Sequence, residues 1–184
     1  EADLALPQFL AEGDLDFIVF DYLAEITMSI MARAKAADPE KGYATDFVSA
    51  IVSPHLAAIA ESGVKLISNA GGVNPEACGR TIRQLIEDAG LPLKVAVVTG
   101  DDLMPKLDQV LDSEPAEMFT GEPTPAREAI ASANAYLGAF PIAEALNQGA
   151  DIVVTGRCVD SAVTLGACIH RFGWRRNDLD LLAA

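Results

Sequence analysis

The sequence has few of the residues from which metal sites and disulfide frameworks are built. Its 184 residues include three cysteines and two histidines. The cysteines, Cys78, Cys158 and Cys168, are odd in number and show no Cys-x-x-Cys spacing, and the histidines lie far apart in the chain. A disulfide framework and a thiolate zinc site are therefore not expected, and we predict no metal site. Reduced thiols are typical of a cytoplasmic protein.

Basic residues and long apolar runs are scarce as well. Lys and Arg together number 13 against 27 for Asp and Glu, which gives a formal net charge of −14. A nucleic-acid binder needs a basic surface that displaces counterions, and an anionic membrane attracts basic segments. No apolar run approaches the ~18 residues that a bilayer crossing needs. We therefore expect neither a nucleic acid nor a membrane as a partner.

The apolar residues, 51% of the chain, are arranged as short runs that alternate with longer amphipathic stretches. The short runs are rich in β-branched residues and end in polar or glycine-containing turns, which is typical of buried parallel strands. They cover residues 17–20, 64–67, 95–98 and 151–154. Helices are predicted over 26–37, 46–62 (restarted or kinked at Pro54), 76–89, 134–148 (which Pro141 could split) and 159–172, with a long loop or insertion at 104–125.

This alternation predicts an α/β fold with a mostly parallel sheet and helices on both faces, Rossmann-like and three-layered. Both ends of the chain, Glu1 and Ala184, look cut rather than finished. We therefore expect one α/β domain over residues 1–184 that is a piece of a longer chain.

Polar residues follow each predicted strand. In open parallel sheets, ligands bind beyond the carboxyl ends of the strands, so these residues are expected along one edge. Acids, amides, hydroxyls and one guanidinium could surround a polar small molecule there. The candidates are Asp21 and Glu25; Asn69, Gly71, Gly72 and Asn74; Thr99, Asp101 and Asp102; and Thr155, Arg157, Asp160 and Ser161.

The turn from Asn69 to Asn74 allows two interpretations. Its glycines, Gly71 and Gly72, could let the backbone approach a ligand, and the helix after Asn74 could direct its amide donors and dipole at an anion. Alternatively, the glycines serve only the shape of a tight strand-helix turn. The spacing matches neither the dinucleotide-binding nor the Walker pattern, so neither type of nucleotide site is supported.

The adjacent acids Asp101 and Asp102 also leave alternatives open. They could bind a hard cation, or one could be a general base whose pKa its neighbour raises. One of them could instead cap a short helix that begins near Leu103.

Arg157 could clamp a carboxylate or phosphate with two parallel hydrogen bonds. Asp160 could orient Arg157 or cap the following helix, and Ser161 lies outside a nucleophile-elbow motif. Cys158 is either a thiol of lowered pKa or an inert, packed one.

Several longer motifs together resemble one family. They are Asp21-Tyr-Leu-Ala-Glu25, Ser53-Pro-His-Leu-Ala57, the segment Lys65-Leu-Ile-Ser-Asn-Ala-Gly-Gly-Val-Asn-Pro-Glu-Ala77, Ala135-Tyr-Leu-Gly-Ala139 and Asp151-Ile-Val-Val-Thr-Gly-Arg-Cys-Val-Asp-Ser161. Over nearly its whole length the chain resembles the amino-terminal part of the AtuA-type acyclic terpene utilisation family. The resemblance implies a role in breaking down acyclic isoprenoids such as citronellol and geraniol through acyl-CoA thioesters. It supplies no catalytic residues and no cofactor.

The leading hypothesis is an enzyme subunit that hydrates, dehydrates or cleaves a CoA-linked branched acid. Asp101 or Glu25 would shuttle the proton, while Arg157 and the amides of Gly71 and Gly72 would hold an anionic group. The alternative is a non-catalytic scaffold or ligand-binding subunit of the same pathway. The expected partner is a small-molecule acyl-CoA or carboxylate, and a homo-oligomer is compatible with either hypothesis.

Overall fold

The computed structural model describes residues 2–183, with side chains from Leu4 to Ala183. Its strands are β1 (Phe17–Phe20), β2 (Lys65–Gly72), β3 (Val95–Val98) and β4 (Ile152–Gly156). Its α-helices are α1 (Ala2–Glu12), α2 (Glu25–Ala37), α3 (Ser53–Ser62), α4 (Pro75–Asp88), α5 (Leu107–Leu111), α6 (Phe140–Asn147), α7 (Ala162–Phe172) and α8 (Leu179–Leu182). A π-helix, Phe47–Val52, leads into α3, and 3-10 turns cover Met104–Lys106 and Arg127–Ala129. No helix within residues 2–183 is long and apolar enough to cross a membrane.

The four strands form one sheet in the order β1-β2-β4-β3, and every neighbouring pair is parallel. The central strand β4 is buried along its whole length, as a continuous apolar run in a parallel sheet should be. The predicted α/β fold with a parallel sheet is therefore confirmed, and all four strand exits lie along the same edge.

The core consists of two apolar clusters, one against each face of the sheet. Side chains alternate between the faces of a strand, so Leu66 and Ile152 belong to one cluster while their neighbours Ile67 and Val153 belong to the other. Helices α1, α2, α3 and α4, with the π-helix, contribute to the first cluster, and α6 and α7 contribute to the second. The chain thus leaves β2 toward one face, through α4, and leaves β4 toward the other, through α7. Ligands in open parallel sheets bind beside such a divergence.

The predicted helix over 134–148 is wrong in its first six residues. Helix α6 begins at Phe140, and Pro141 lies in its first turn instead of splitting it. Proline suits that position because its missing N–H has no partner in the helix anyway. The residues before α6 are extended and bridge to the strand exits, Asn134 to Asp102 and Leu137 to Cys158.

The predicted helix over 46–62 consists of two helical segments that meet next to Pro54. The π-helix ends at Val52 and α3 begins at Ser53 with helical backbone on both sides, so the helix continues past Pro54 and only changes its type there. Helix α1 was not predicted, although its Leu6 is completely buried in the core. The insertion after β3 holds a 3-10 turn and the short helix α5, and otherwise lacks regular structure as expected.

We predict that Gly71→Ala destabilises the fold by about 1–3 kcal/mol, because overpacking of a tight site carries a cost of that size. A Cβ at Gly71 would lie 2.5 Å from the Thr155 carbonyl oxygen and 2.6 Å from Pro75 Cβ. Urea denaturation would measure the change. Gly138→Ala is the matched control, since nothing lies within 4 Å of its new methyl group. Equal stabilities of the two variants would contradict this account of the turn.

Candidate functional site

Helix α2 lies across the carboxyl edge of the sheet and frames the candidate site. At its first residue, Glu25 Oε1 lies 3.4 Å from Arg157 Nη2, just beyond β4. Nearly three turns further on, Lys35 Nζ donates a 2.7 Å hydrogen bond to the carbonyl oxygen of Val73, just beyond β2. Met28, Met31 and Ala32 are its buried residues, which hold it against the core. The helix therefore spans the strand exits instead of running back along the sheet.

Two adjoining cavities lie between α2 and the exits of β2 and β3. One, of about 170 Å³, has walls of mixed character and carries the polar side chains of Asn74, Thr99 and Asp101, so we call it the polar half. The other, of about 240 Å³, has mainly apolar walls that include Ala32, Ala36 and Met104. They share Lys35, Val73 and Asp102, so we treat them as one space, the edge cleft. Together they fall within the roughly 300–1,000 Å³ that is typical of small-molecule sites.

Asp101 is the buried carboxyl group of the edge cleft, with 2% of its surface exposed. Its Oδ2 accepts hydrogen bonds from the Arg157 backbone N–H (2.8 Å) and from Asn134 Nδ2 (3.0 Å). Burial raises the pKa of Asp101, the neighbouring charge of Asp102 raises it further, and the two hydrogen bonds only partly oppose this. Asp101 can thus exchange a proton nearer to neutral pH than an ordinary aspartate.

The predicted cap is not formed, because Leu103 occupies the N-cap position; Asp102 instead bonds the residue two positions ahead of it. Its Oδ1 accepts a 2.9 Å hydrogen bond from the Met104 backbone N–H, at the start of the 3-10 turn. Within the described residues, no group of three or more His, Cys, Asp or Glu side chains is arranged to hold a metal ion.

Arg157 is buried, with 3% of its side chain exposed, and its guanidinium is bonded within the protein. Nη1 donates to the Leu23 carbonyl oxygen (3.1 Å) and to Asp160 (2.8 Å), and Nη2 lies 3.4 Å from Glu25. The Tyr136 ring covers the guanidinium at 4.1 Å. We call these five residues the Arg157 cluster. Asp160 therefore orients Arg157, which was one of its two predicted roles.

Glu25 belongs to the Arg157 cluster and not to the walls of the edge cleft. The Tyr136 hydroxyl donates a 2.7 Å hydrogen bond to Glu25 Oε1. That bond, with a smaller contribution from the charge of Arg157, lowers the pKa of Glu25. The carboxyl group is therefore held in its ionised form, which makes it a poor proton shuttle near neutral pH.

Strand β2 extends five residues beyond its predicted end at residue 67, so Asn69, Gly71 and Gly72 belong to the strand, where its register is irregular, and they are packed against protein. Asn69 is completely buried, accepts a hydrogen bond from the Tyr22 N–H (2.7 Å) and donates one to Asp21 (2.6 Å). Gly72 has a φ of +55°, and a Cβ there would collide with Met31. The predicted turn is therefore wrong in its first residues, while the glycines serve the close packing of the strand end and of the turn that leads to Asn74.

Asn74 and Ser161 stand at the N-cap positions of α4 and α7, but neither side chain caps its helix. The Asn74 amide donates to the carbonyl oxygens of Pro39 (2.8 Å) and Lys41 (2.7 Å), while the residue itself lines the edge cleft. Ser161 is exposed and is not among the residues that line the edge cleft. Of the candidates predicted to surround a ligand, the structure places Asn74 and Thr99 beside Asp101 and Asp102 in the cleft.

Burial makes the two buried cysteines, Cys78 and Cys158, unreactive. Cys158 is completely buried, and burial raises its pKa despite a hydrogen bond from Thr155 and the nearby charge of Arg157. Burial raises the pKa of Cys78 to about 12. A packed, inert thiol is therefore the interpretation of Cys158 that the structure supports.

Sequence reasoning missed Lys35, Asn134 and Tyr136. Lys35 lies in the last turn of α2. Only the start of this helix, at Glu25, was expected at the site, and no local sequence pattern predicts that its other end also lies there. Asn134 and Tyr136 fell within a predicted helix. The signal that could have found Tyr136 is the Ala135-Tyr-Leu-Gly-Ala139 motif, in which a tyrosine and a glycine precede a helix that opens with proline.

Comparison with known proteins confirms the resemblance noted from the motifs. The family model described as acyclic terpene utilisation family protein AtuA matches residues 3–184, essentially the whole chain. No curated protein and no solved structure matches the chain.

We predict that Asp101→Asn is at least as stable as the wild type at pH 7, because the asparagine can still accept both hydrogen bonds without an ionisation cost. Since the folded-state pKa of Asp101 is raised, the folded wild type binds more protons than the unfolded chain above the ordinary pKa of 3.8. Its free energy of unfolding therefore falls as the pH rises from 3.8 through the folded-state pKa. Thermal unfolding across this range should show the advantage of the variant growing with pH.

The control for this prediction is Asp101→Ala, which removes the acceptor. It leaves a backbone N–H and an amide without their partner, which costs about 1–3 kcal/mol at any pH. A pH-independent loss of stability in Asp101→Asn, equal to that of the alanine variant, would contradict the raised pKa.

We predict that Arg157→Met lowers the free energy of unfolding by about 1–3 kcal/mol, because the Leu23 carbonyl loses its buried donor. Urea denaturation measures the loss. The control is Arg80→Met, which removes an exposed pair with Glu40 (2.9 Å) and should cost less than about 1 kcal/mol. Two variants of equal stability would show that Arg157 contributes no more than a surface charge.

Proposed function

The chain belongs to the acyclic terpene utilisation family AtuA, and from this premise we propose that it acts on a CoA-linked branched carboxylic acid in the breakdown of acyclic isoprenoids. The reaction classes that suit such a compound are hydration, dehydration and carbon–carbon cleavage next to the thioester. Each requires a proton transfer and stabilisation of charge on the thioester oxygen.

The observation that carries the proposal is the two-sided character of the edge cleft. Its apolar half is lined by small and flexible side chains, among them Ala36, Met104 and Ala131. Such walls suit a methyl-branched hydrocarbon chain, because burial of apolar surface is favourable and methionine adapts to irregular shapes. Its polar half, with Asn74, Thr99 and Asp101, suits a carbonyl group.

Asp101 is our candidate for the proton shuttle, in preference to Glu25. Asp101 lines the cleft and has a raised pKa, so its carboxyl group exchanges a proton nearer to neutral pH than an ordinary aspartate does. Glu25 is outside the cleft and has a lowered pKa. Asp102 is close by, but its carboxylate is engaged at the 3-10 turn.

Arg157 takes a positioning role in this proposal. Its guanidinium is committed to the Arg157 cluster, whereas its backbone N–H holds the Asp101 carboxylate. A ligand anion would have to displace Glu25 or Asp160 to reach it. Gly71 and Gly72, packed at the end of β2, likewise serve the fold and are not among the residues that line the cleft.

A ligand-binding subunit without catalysis is the second candidate. The observation that favours it is the pair of hydrogen bonds that hold Asp101 Oδ2, since a carboxylate fixed in this way can serve structure alone. Both candidates need the edge cleft. The enzyme candidate predicts that a folded Asp101→Asn variant loses a turnover that the wild type shows. The binding-subunit candidate predicts no turnover in either protein.

For the fold we propose the Rossmann-like, three-layer class, supported by the helices against both faces of the parallel sheet. The low cysteine content supports a reducing, cytoplasmic location. A homo-oligomer remains compatible with this proposal.

The experiment that tests the proposal is a thermal-shift screen of branched acyl-CoAs and their shorter thioester mimics. A ligand present at 100 times its dissociation constant should stabilise the protein by about 2.7 kcal/mol. We predict that Ala36→Trp abolishes this stabilisation, because the indole fills the apolar half of the cleft. Ala37→Trp is the matched control, since Ala37 is also exposed but is not among the residues lining the cleft. A flat screen, or equal stabilisation of both variants, would overturn the proposal.

A further inference from the structure

We propose that the edge cleft selects an uncharged carbonyl compound over a free carboxylate, and that Lys35 donates the hydrogen bond that recognises the carbonyl oxygen. This inference rests on the proposed function and names the chemical form in which the branched acid enters the cleft.

Lys35 stands at the junction between the two halves of the cleft, because it lines both cavities. Its ammonium is anchored by the 2.7 Å hydrogen bond to the Val73 carbonyl oxygen. An ammonium has three N–H donors, and within the described part of the chain Lys35 makes no ion pair and no second hydrogen bond. Two charged donors therefore remain for a ligand at a fixed position.

The position of Lys35 sets where the polar group of a ligand lies. A branched chain seated against Ala32, Ala36 and Met104 ends where the apolar wall meets the polar wall. Lys35 and Asp102 stand at that boundary, and Asp101 lies beyond it. A carbonyl carbon attached to the chain would thus lie between the ammonium and the carboxyl group proposed to exchange a proton.

The charges of the cleft decide between a carboxylate and an uncharged carbonyl. Among the described residues that line it, Lys35 is the one base, while Glu76, Asp101 and Asp102 are acids. For a bound carboxylate, electrostatic repulsion by the acids would offset the attraction of the Lys35 ammonium. An uncharged thioester carbonyl keeps the hydrogen bond from the ammonium and brings no net charge. The same acids keep the phosphates of CoA outside the cleft.

The experiment compares two probes on the whole chain, the N-acetylcysteamine thioester of citronellic acid and the citronellate anion. Both have the same branched chain, and the thioester lacks the phosphates of CoA. Titration calorimetry should show tighter binding of the thioester by the wild type. Lys35→Met keeps the aliphatic stem and should weaken thioester binding roughly ten- to one-hundredfold, because a hydrogen bond to a charged donor is lost. Lys35→Arg should restore most of the affinity.

Lys41→Met is the control, since Lys41 is exposed and is not among the residues lining the cleft; it should bind like the wild type. Melting temperatures of all variants show whether each is folded. Unchanged thioester affinity in folded Lys35→Met overturns this inference and leaves the proposed function standing. Tighter binding of citronellate than of the thioester also overturns it. Binding of neither probe by the wild type contradicts the proposed function itself, and this inference with it.

Discussion

The buried carboxylate of Asp101 ties together three segments that meet at the carboxyl edge of the sheet. It follows β3, it holds the first N–H after β4, and it holds Asn134 in the extended segment before α6. A buried charged acceptor is costly without partners and stabilising with them, so these contacts depend on each other. Two of these segments line the edge cleft, since Asp101 lies in its polar half and Asn134 in its apolar half.

The Arg157 cluster fastens the opposite end of that edge. The residue whose backbone holds Asp101 also extends its guanidinium to the exit of β1 and to the start of α2. Its two carboxylate partners face solvent, so the cluster neutralises a buried cation without burying a second charge, although the guanidinium Nε has no hydrogen-bond partner. One residue thus connects the position of the candidate proton shuttle with the helix that covers the cleft, and α2 carries Lys35 at its other end.

The strands and the common edge could be predicted because continuous β-branched runs have few alternatives in an α/β chain. Residues 17–20 and 95–98 are strands with the predicted bounds. The helix predicted from Asn134 was too long because residues 134–139 pair with distant strand exits, and local propensity does not report that pairing. The role of Lys35 was beyond prediction for the same reason: its anchor at Val73 is 38 positions away, and their meeting depends on the path of α2. Candidate residues could be gathered at one edge, but which of them face a cavity and which face each other depends on packing.

The close approach of Gly156 to Asp101 has an evolutionary consequence. A Cβ at position 156 would occupy the space of the Asp101 carboxylate. The residues at these two positions therefore cannot change independently. Any side chain at position 156 requires a smaller residue at position 101, and a homologue that keeps the acid must also keep the glycine. Positions 101 and 156 should therefore co-vary in an alignment of the wider family. A relative that lacks both residues also lacks the buried acid of this cleft.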